Sequence, residues 1–311
     1  GGAGTPDDPY RIATKTDLLM MAANTADYSK CFILTADIDL QGQVFTTAII
    51  ATGFSTAFTG TFDGNGHKIT NFTINGGSNN YIGLFGYINS GGSVKNLGLE
   101  NYSVSGASYV GGLVGYNYGS ISNCYSTGAV SGSGYVGGLV GWNHGSISNC
   151  YSTGAVSGTS NVVGGLVGEN YSNGTISNCY STGAVSGTEN VGGLVAYNYF
   201  GSISNCYSTG AVSGSAGVGG LVAWNYMYIG SISSSFWDIQ TSGQTTSDGG
   251  KGETTAQMKT KSTFTDAGWN FLTIWGILEG QTYPFFKSDI GGAGTPDDPY
   301  RIATKADLLA M

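Results

Sequence analysis

The string VGGLV begins at Val110, Val136, Val163, Val191 and Val218, at spacings of 26, 27, 28 and 27 residues. Between these strings GSISNCYSTGAVSG starts at Gly119, Gly145 and Gly201, and again at Gly174 with Thr175 in place of the first Ser. A degenerate earlier unit runs from Ile82, with Val94 and Leu97 in the places of Ile121 and Cys124. A unit this small cannot bury its own apolar face, so neighbouring units must stack as a solenoid or a propeller. Propeller blades need about 40 residues, which leaves the solenoid. Each unit holds short runs of Val, Ile, Tyr, Thr and Ser broken by Gly and Asn, with no helical apolar stripe. The expected fold is all-β: a parallel β-helix, right-handed by the crossover rule, with about 27 residues per coil.

In such a solenoid equivalent residues form columns about 4.8 Å apart along the axis. Leu113, Leu139, Leu166, Leu194 and Leu221 are expected inside, with Ile121, Ile147, Ile176 and Ile203 and the cysteines. Asn117, Asn143, Asn170, Asn198 and Asn225 read as an outward or turn column whose amides bond from coil to coil. Tyr116, Trp142, Tyr197 and Trp224 form one aromatic column and Tyr125, Tyr151, Tyr180 and Tyr207 a second. Stacking alone would explain both, and exposed rings could also hold sugars or a protein partner. Cys124, Cys150, Cys179 and Cys206 recur at one place in successive units, with Cys31 apart. Stacked Cβ atoms point the same way and stay farther apart than the ~3.8 Å a disulfide prefers, so buried free thiols are expected, filling the place of Leu97.

A solenoid needs covered ends. Thr14 to Asn24, with Asp17 three places after Thr14, reads as a short capped helix over the first coils. Residues 235–287 break the repeat and bring Phe236, Trp237, Trp269, Trp275 and Phe285, enough apolar mass for an irregular C-terminal cap, with a helical turn or two in Thr255 to Lys261. A longer period is also present: residues 291–311 match residues 1–21 at 19 positions and differ only at Thr16/Ala306 and Met20/Ala310. The organisation read from this is an N-terminal cap and first coils (1–81), a repeat β-helix (82–234), a C-terminal cap (235–290) and the start of a second tandem module (291–311). More modules are expected to follow.

The composition narrows function. The chain has 54 Gly, 10% charged residues and a net charge of −8, with 11 Lys and Arg in all and no basic stripe, which argues against nucleic acid. No apolar run approaches the roughly 20 residues that span a bilayer, and any export signal is expected outside these residues. His67 and His144 lie in different units without a metalloprotease or nucleophile pattern, and no CxxC or Cys/His cluster suggests zinc. Asp7, Asp8, Asp37, Asp39 and Asp63 could hold Ca²⁺ if brought together, but their spacing fits no established loop, so no cofactor is expected. Glycosylation sequons occur at Asn71, Asn101, Asn170 and Asn173.

The strings VGGLVGYNYGSISNCYSTGAVSG and VGGLVGWNHGSISNCYSTGAVSG resemble the GLUG-motif repeats of bacterial secreted and surface proteins. TFDGNGHKITNFTI before them and SSFWDIQTSGQ after them resemble the flanks of such repeats. The resemblance implies surface display, as in large adhesins. The family also accompanies some immunoglobulin A metallopeptidases, whose metal motif is absent here. Three functions follow in order: a structural module of an extracellular fibre or cell-surface stalk, joined to copies of itself in tandem or head to tail; an adhesin binding glycans or host proteins through its aromatic columns; and, last, a polysaccharide-active enzyme. The enzyme rests on fold analogy alone, since the repeats from Val110 to Gly217 hold only Glu169 and Glu189 as charged residues.

Overall fold

The computed structural model describes residues 1–159, 162–226 and 230–290. The start of the second module lies outside the described residues. The chain winds as a parallel β-solenoid whose walls are three sheets of nine, sixteen and six strands, and a separate antiparallel pair, Trp275–Gly276 with Phe285–Phe286, lies in the C-terminal part. The SIS strands, such as Ser120–Ser122, Ser146–Ser148 and Thr175–Ser177, pair in order in the first wall, with Ile121, Ile147 and Ile176 in register. Val140–Asn143 pairs with Val114–Asn117 on one side and Val167–Tyr171 on the other in the six-stranded wall. Each VGGLV string thus aligns with the next, as the 27-residue period requires.

The interior is one column per repeat position. Leu113, Leu139, Leu166, Leu194 and Leu221, the Ile column and the four repeat cysteines are all buried in one continuous core. The double glycine follows from the corner it forms. A Cβ on Gly137 would lie 2.0 Å from the Val140 carbonyl oxygen, and one on Gly138 would lie 2.1 Å from Ser152 Oγ. At the next corner the residue before each cysteine must turn left-handed: Asn123, Asn149, Asn178 and Asn205 have φ of 50 to 52°. Asparagine tolerates this region better than other side chains, which explains the SNC triplet.

All five cysteines are free thiols, as the Cβ geometry anticipates. Cys150 Sγ faces the Ser148 carbonyl at 3.1 Å, and burial pushes the thiols of Cys124, Cys150 and Cys179 well above the ordinary cysteine range. Because the thiolate is the reactive form, a thiol reagent added to the native protein should label Cys31, which is half-exposed, and spare the repeat cysteines until the chain is unfolded. Rapid native labelling of two or more thiols would contradict a buried column.

Both ends of the ladder are covered. Helix Lys15–Ala23 starts at the Thr14 N-cap with the reciprocal Thr14–Asp17 capping box, and it buries Leu18 and Met21 against the first coils. At the other end Ser247 Oγ accepts from the Leu221 and Val222 amides, Asp248 Oδ2 accepts from Asn225 N, and Gln244 donates to the Val212 carbonyl. These side chains occupy strand edges that would otherwise invite another coil. Short helices Thr255–Met258 and Lys261–Thr265 follow, close to the expected turns.

Candidate functional site

Two columns do not stand where the sequence placed them. The Asn column, read as outward or turn, lies at or near the end of its strands but faces inward: Asn117, Asn143, Asn170 and Asn198 are completely buried. Each Nδ2 donates to the next Oδ1, at 2.8 Å (117 to 143), 2.8 Å (143 to 170), 2.9 Å (170 to 198) and 2.7 Å (198 to 225). The same amides also donate within their own coil, Asn143 to the Gly145 carbonyl at 3.1 Å and Asn170 to that of Gly174 at 3.1 Å. A buried polar group is tolerated when it is fully bonded, and this ladder is. The sequon at Asn170 is therefore inside the ladder.

The second correction concerns Tyr125, Tyr151, Tyr180 and Tyr207. Their rings do stack, with centroids 5.1, 4.7 and 5.0 Å apart. However, the C-terminal segment folds back along the side of the solenoid rather than only over its end. Trp269, Trp275 and Phe286 pack with Tyr180 and Tyr207 in one buried cluster, and Tyr207 Oη donates to the Pro284 carbonyl. Tyr180 and Tyr207 thus belong to the cap interface, and only the Tyr125 and Tyr151 end of this column is partly open to solvent.

The other aromatic column is larger than the sequence suggested, with Tyr87 and Trp142 buried and Tyr116, Tyr197 and Trp224 half-buried. Tyr87, Tyr116 and Trp142 stack at 4.8 and 4.1 Å, and Tyr197 and Trp224 follow at 4.7 Å. Between the two groups the register places Glu169 opposite both Trp142 and Tyr197. The stack there steps sideways onto a neighbouring column, Trp142 to Tyr171 at 5.0 Å, then Tyr199 at 5.3 Å and Tyr226 at 5.0 Å. His144 sits in that same neighbouring column, 4.5 Å from Tyr118. A third column, Tyr81, Tyr109 and Tyr135, stacks at 5.1 and 5.2 Å and packs edge-on against Tyr116. These three tyrosines have φ of 59, 57 and 52°, an uncommon conformation for a bulky residue. The Tyr before VGGLV in two units and the aromatic after each buried Asn are the sequence signals that could have revealed both extra columns.

Burial is the main influence on the ionisable groups of this face. Burial raises the Tyr87 hydroxyl to about 12 and lifts Tyr116 further, helped by its hydrogen bond with Tyr118. Burial also raises the Glu169 carboxyl to about 7, against a hydrogen bond with Trp142 that lowers it. Of the acids considered for Ca²⁺, Asp8 pairs with Arg11, Asp37 with His67 at 3.0 Å, Asp39 with the Asn71 amide, and Asp63 with Lys95 and the Asn96 amide. Among the described residues no group of three His, Cys, Asp or Glu side chains converges on a point.

Comparison with known proteins places the repeats. The GLUG motif matches four times, over residues 106–131, 132–157, 159–186 and 187–213. Halomucin of Haloquadratum walsbyi is 35% identical over 136 residues, and a protein of Evansella cellulosilytica described as a Gly-rich membrane protein is 40% identical over 138 residues. Those stretches are 41% and 40% of this chain but only 2% and 15% of the relatives. The fold is shared with a solved structure from Bacteroides ovatus described as an immunoglobulin A1 protease, at a TM-score of 0.72 and 26% identity over 92% of this chain and 94% of that one. A second, described as IgA1 Protease, has a TM-score of 0.54 at 20% identity over 74% of this chain and 19% of that one, and speaks for the fold alone.

Proposed function

We propose that this chain, whose residues 106–213 are four GLUG-motif repeats, is a non-catalytic structural module of an extracellular or cell-surface array in which units of 290 residues follow one another. The observation that carries this reading is the return of residues 1–21 at 291–311 with two changes. Repetition at that length has a physical use only if each unit is a finished body, and the covered ladder ends support that. Side chains of residues 244–248 already hold the last coil's amides and carbonyls, which favours covalent succession over coil-on-coil polymerisation. The fully bonded Asn ladder and the dry core supply stiffness along the axis, and no cofactor is needed for either. The membrane protein among the relatives fits a surface location.

Electron micrographs of the purified full-length protein test this. The expected image is a rod lengthening by roughly 40–50 Å per unit, the height of nine stacked strands with their caps. Compact particles, or a gene with no further GLUG block beyond Met311, would remove the array. A second reading, adhesion to glycans or a partner protein, is favoured by the rings of this face that remain exposed, Tyr171 and Tyr226. A glycan array with Tyr171→Ala and Tyr226→Ala separates the two, since unchanged binding in both variants would exclude the face.

A further inference from the structure

Between Glu100 and Asp238 the chain contains two residues of the Asp, Glu, Lys and Arg set, Glu169 and Glu189. Both line one cleft of about 580 Å³ on the aromatic face. They come from successive repeats, yet the solenoid brings them to the same place, where Glu169 interrupts the aromatic column between Trp142 and Tyr197. The walls are rings: Tyr171, Tyr197, Tyr199 and Trp224 line the same cleft. Glu169 is only 8% exposed, and among the described residues neither acid has a salt-bridge partner. Its neighbouring repeats offer no Lys or Arg that could serve as one.

A carboxylate held out of water needs an opposite charge or a proton, and among the described residues none supplies the charge. Aromatic faces attract cations, most strongly when water is excluded. One buried carboxylate, Glu169, and one exposed carboxylate, Glu189, lining a cleft with four electron-rich rings therefore match one ligand chemistry closely. We propose that this cleft binds an organic cation, an alkylammonium or guanidinium group, between the carboxylates of Glu169 and Glu189 and the rings of Tyr171, Tyr197, Tyr199 and Trp224. A divalent metal is a poorer match, because Ca²⁺ takes six to eight oxygen ligands and the rings offer none but phenols. A neutral sugar would stack on the rings but leave the buried carboxylate uncompensated. The site stands whether or not the chain is an array unit.

The test is titration of the whole chain at about pH 8, where Glu169 is ionised, with tryptophan fluorescence and calorimetry as readouts. The probes are Nα-acetyl-arginine methylamide, Nα-acetyl-lysine methylamide and spermidine, with Nα-acetyl-norleucine methylamide, maltohexaose and CaCl₂ as controls. Saturable binding of at least one cationic probe, about tenfold or more tighter than the norleucine control and about tenfold or more weaker in the Glu169→Gln/Glu189→Gln protein, is expected. The arginine and lysine probes distinguish guanidinium from ammonium. Trp224→Ala should weaken the same probe, and if that variant does not fold the decision rests on the Gln pair, which changes almost no volume. No saturable cation binding up to about 50 mM, binding that survives the Gln pair, or tighter binding of Ca²⁺ or the neutral sugar would each overturn the proposal.

Discussion

Asn143→Ala should destabilise the solenoid by about 3–5 kcal/mol, far more than an Asn to Ala change normally does. Asn143 is completely buried. Its Oδ1 accepts from Asn117 Nδ2, and its Nδ2 donates both to Asn170 Oδ1 and to the Gly145 carbonyl. Alanine removes all three bonds. It also leaves Asn117 Nδ2 with a single long contact, to the Gly119 carbonyl at 3.4 Å, and Asn170 Oδ1 without its donor. Each net bond contributes about 1 kcal/mol, and each buried group left unpaired costs about 1–3 kcal/mol more, so the penalties compound. Asn225→Ala is the internal control. That residue ends the ladder half-buried and, among the described residues, its side chain accepts from Asn198 alone, so a loss of about 1–2 kcal/mol is expected. Urea unfolding of the two variants checks the pair. Equal losses, or a loss under about 1 kcal/mol at Asn143, would mean that the amides do not act as a cooperative ladder.

The contrast between that ladder and the rest of the coil shows what repetition does and does not encode. Period and in-register pairing were legible because the VGGLV strings fix every coil against the next, and the interior Leu, Ile and Cys positions follow from apolarity. The amides were read as outward or turn residues because polarity alone does not distinguish a turn at the surface from a buried corner. What buries Asn143 is the presence of Asn117 and Asn170 at the same height in the adjacent coils, a property of the column and not of the residue. The Tyr180 and Tyr207 rings were misjudged for a different reason. Their burial comes from Trp275, Phe286 and Pro284, far along the chain and outside the repeat, so no periodic reading reaches it. Glu169 was visible as one of only two repeat charges, but its consequence required the register that sets it between Trp142 and Tyr197.

Glu169 should also make stability fall as pH rises through neutrality, opposite to what a salt-bridged acid does. Burial raises its folded-state value to about 7 from an ordinary 4.5. Between those two values the folded chain holds a proton that the unfolded chain has released, so raising the pH favours unfolding. The contribution is fully present below about pH 4.5, declines through the interval and is lost above about pH 7. The shift corresponds to about 3 kcal/mol at most, or a few degrees in the melting temperature of a chain this size. The decisive quantity is the difference between the parent and Glu169→Gln. The glutamine keeps the shape and an acceptor for Trp142 while removing the charge. The two proteins should melt together near pH 5, and the variant should be the more stable by pH 8, with the gap opening across the interval in which the carboxyl ionises. A cationic ligand in the cleft should close that gap in the parent and leave the variant unmoved, because it stabilises only the ionised carboxylate. A difference that stays flat from about pH 5 to 8 would mean that Glu169 is solvated in the folded chain, and the desolvation on which both its titration and its affinity for a cation depend would not exist.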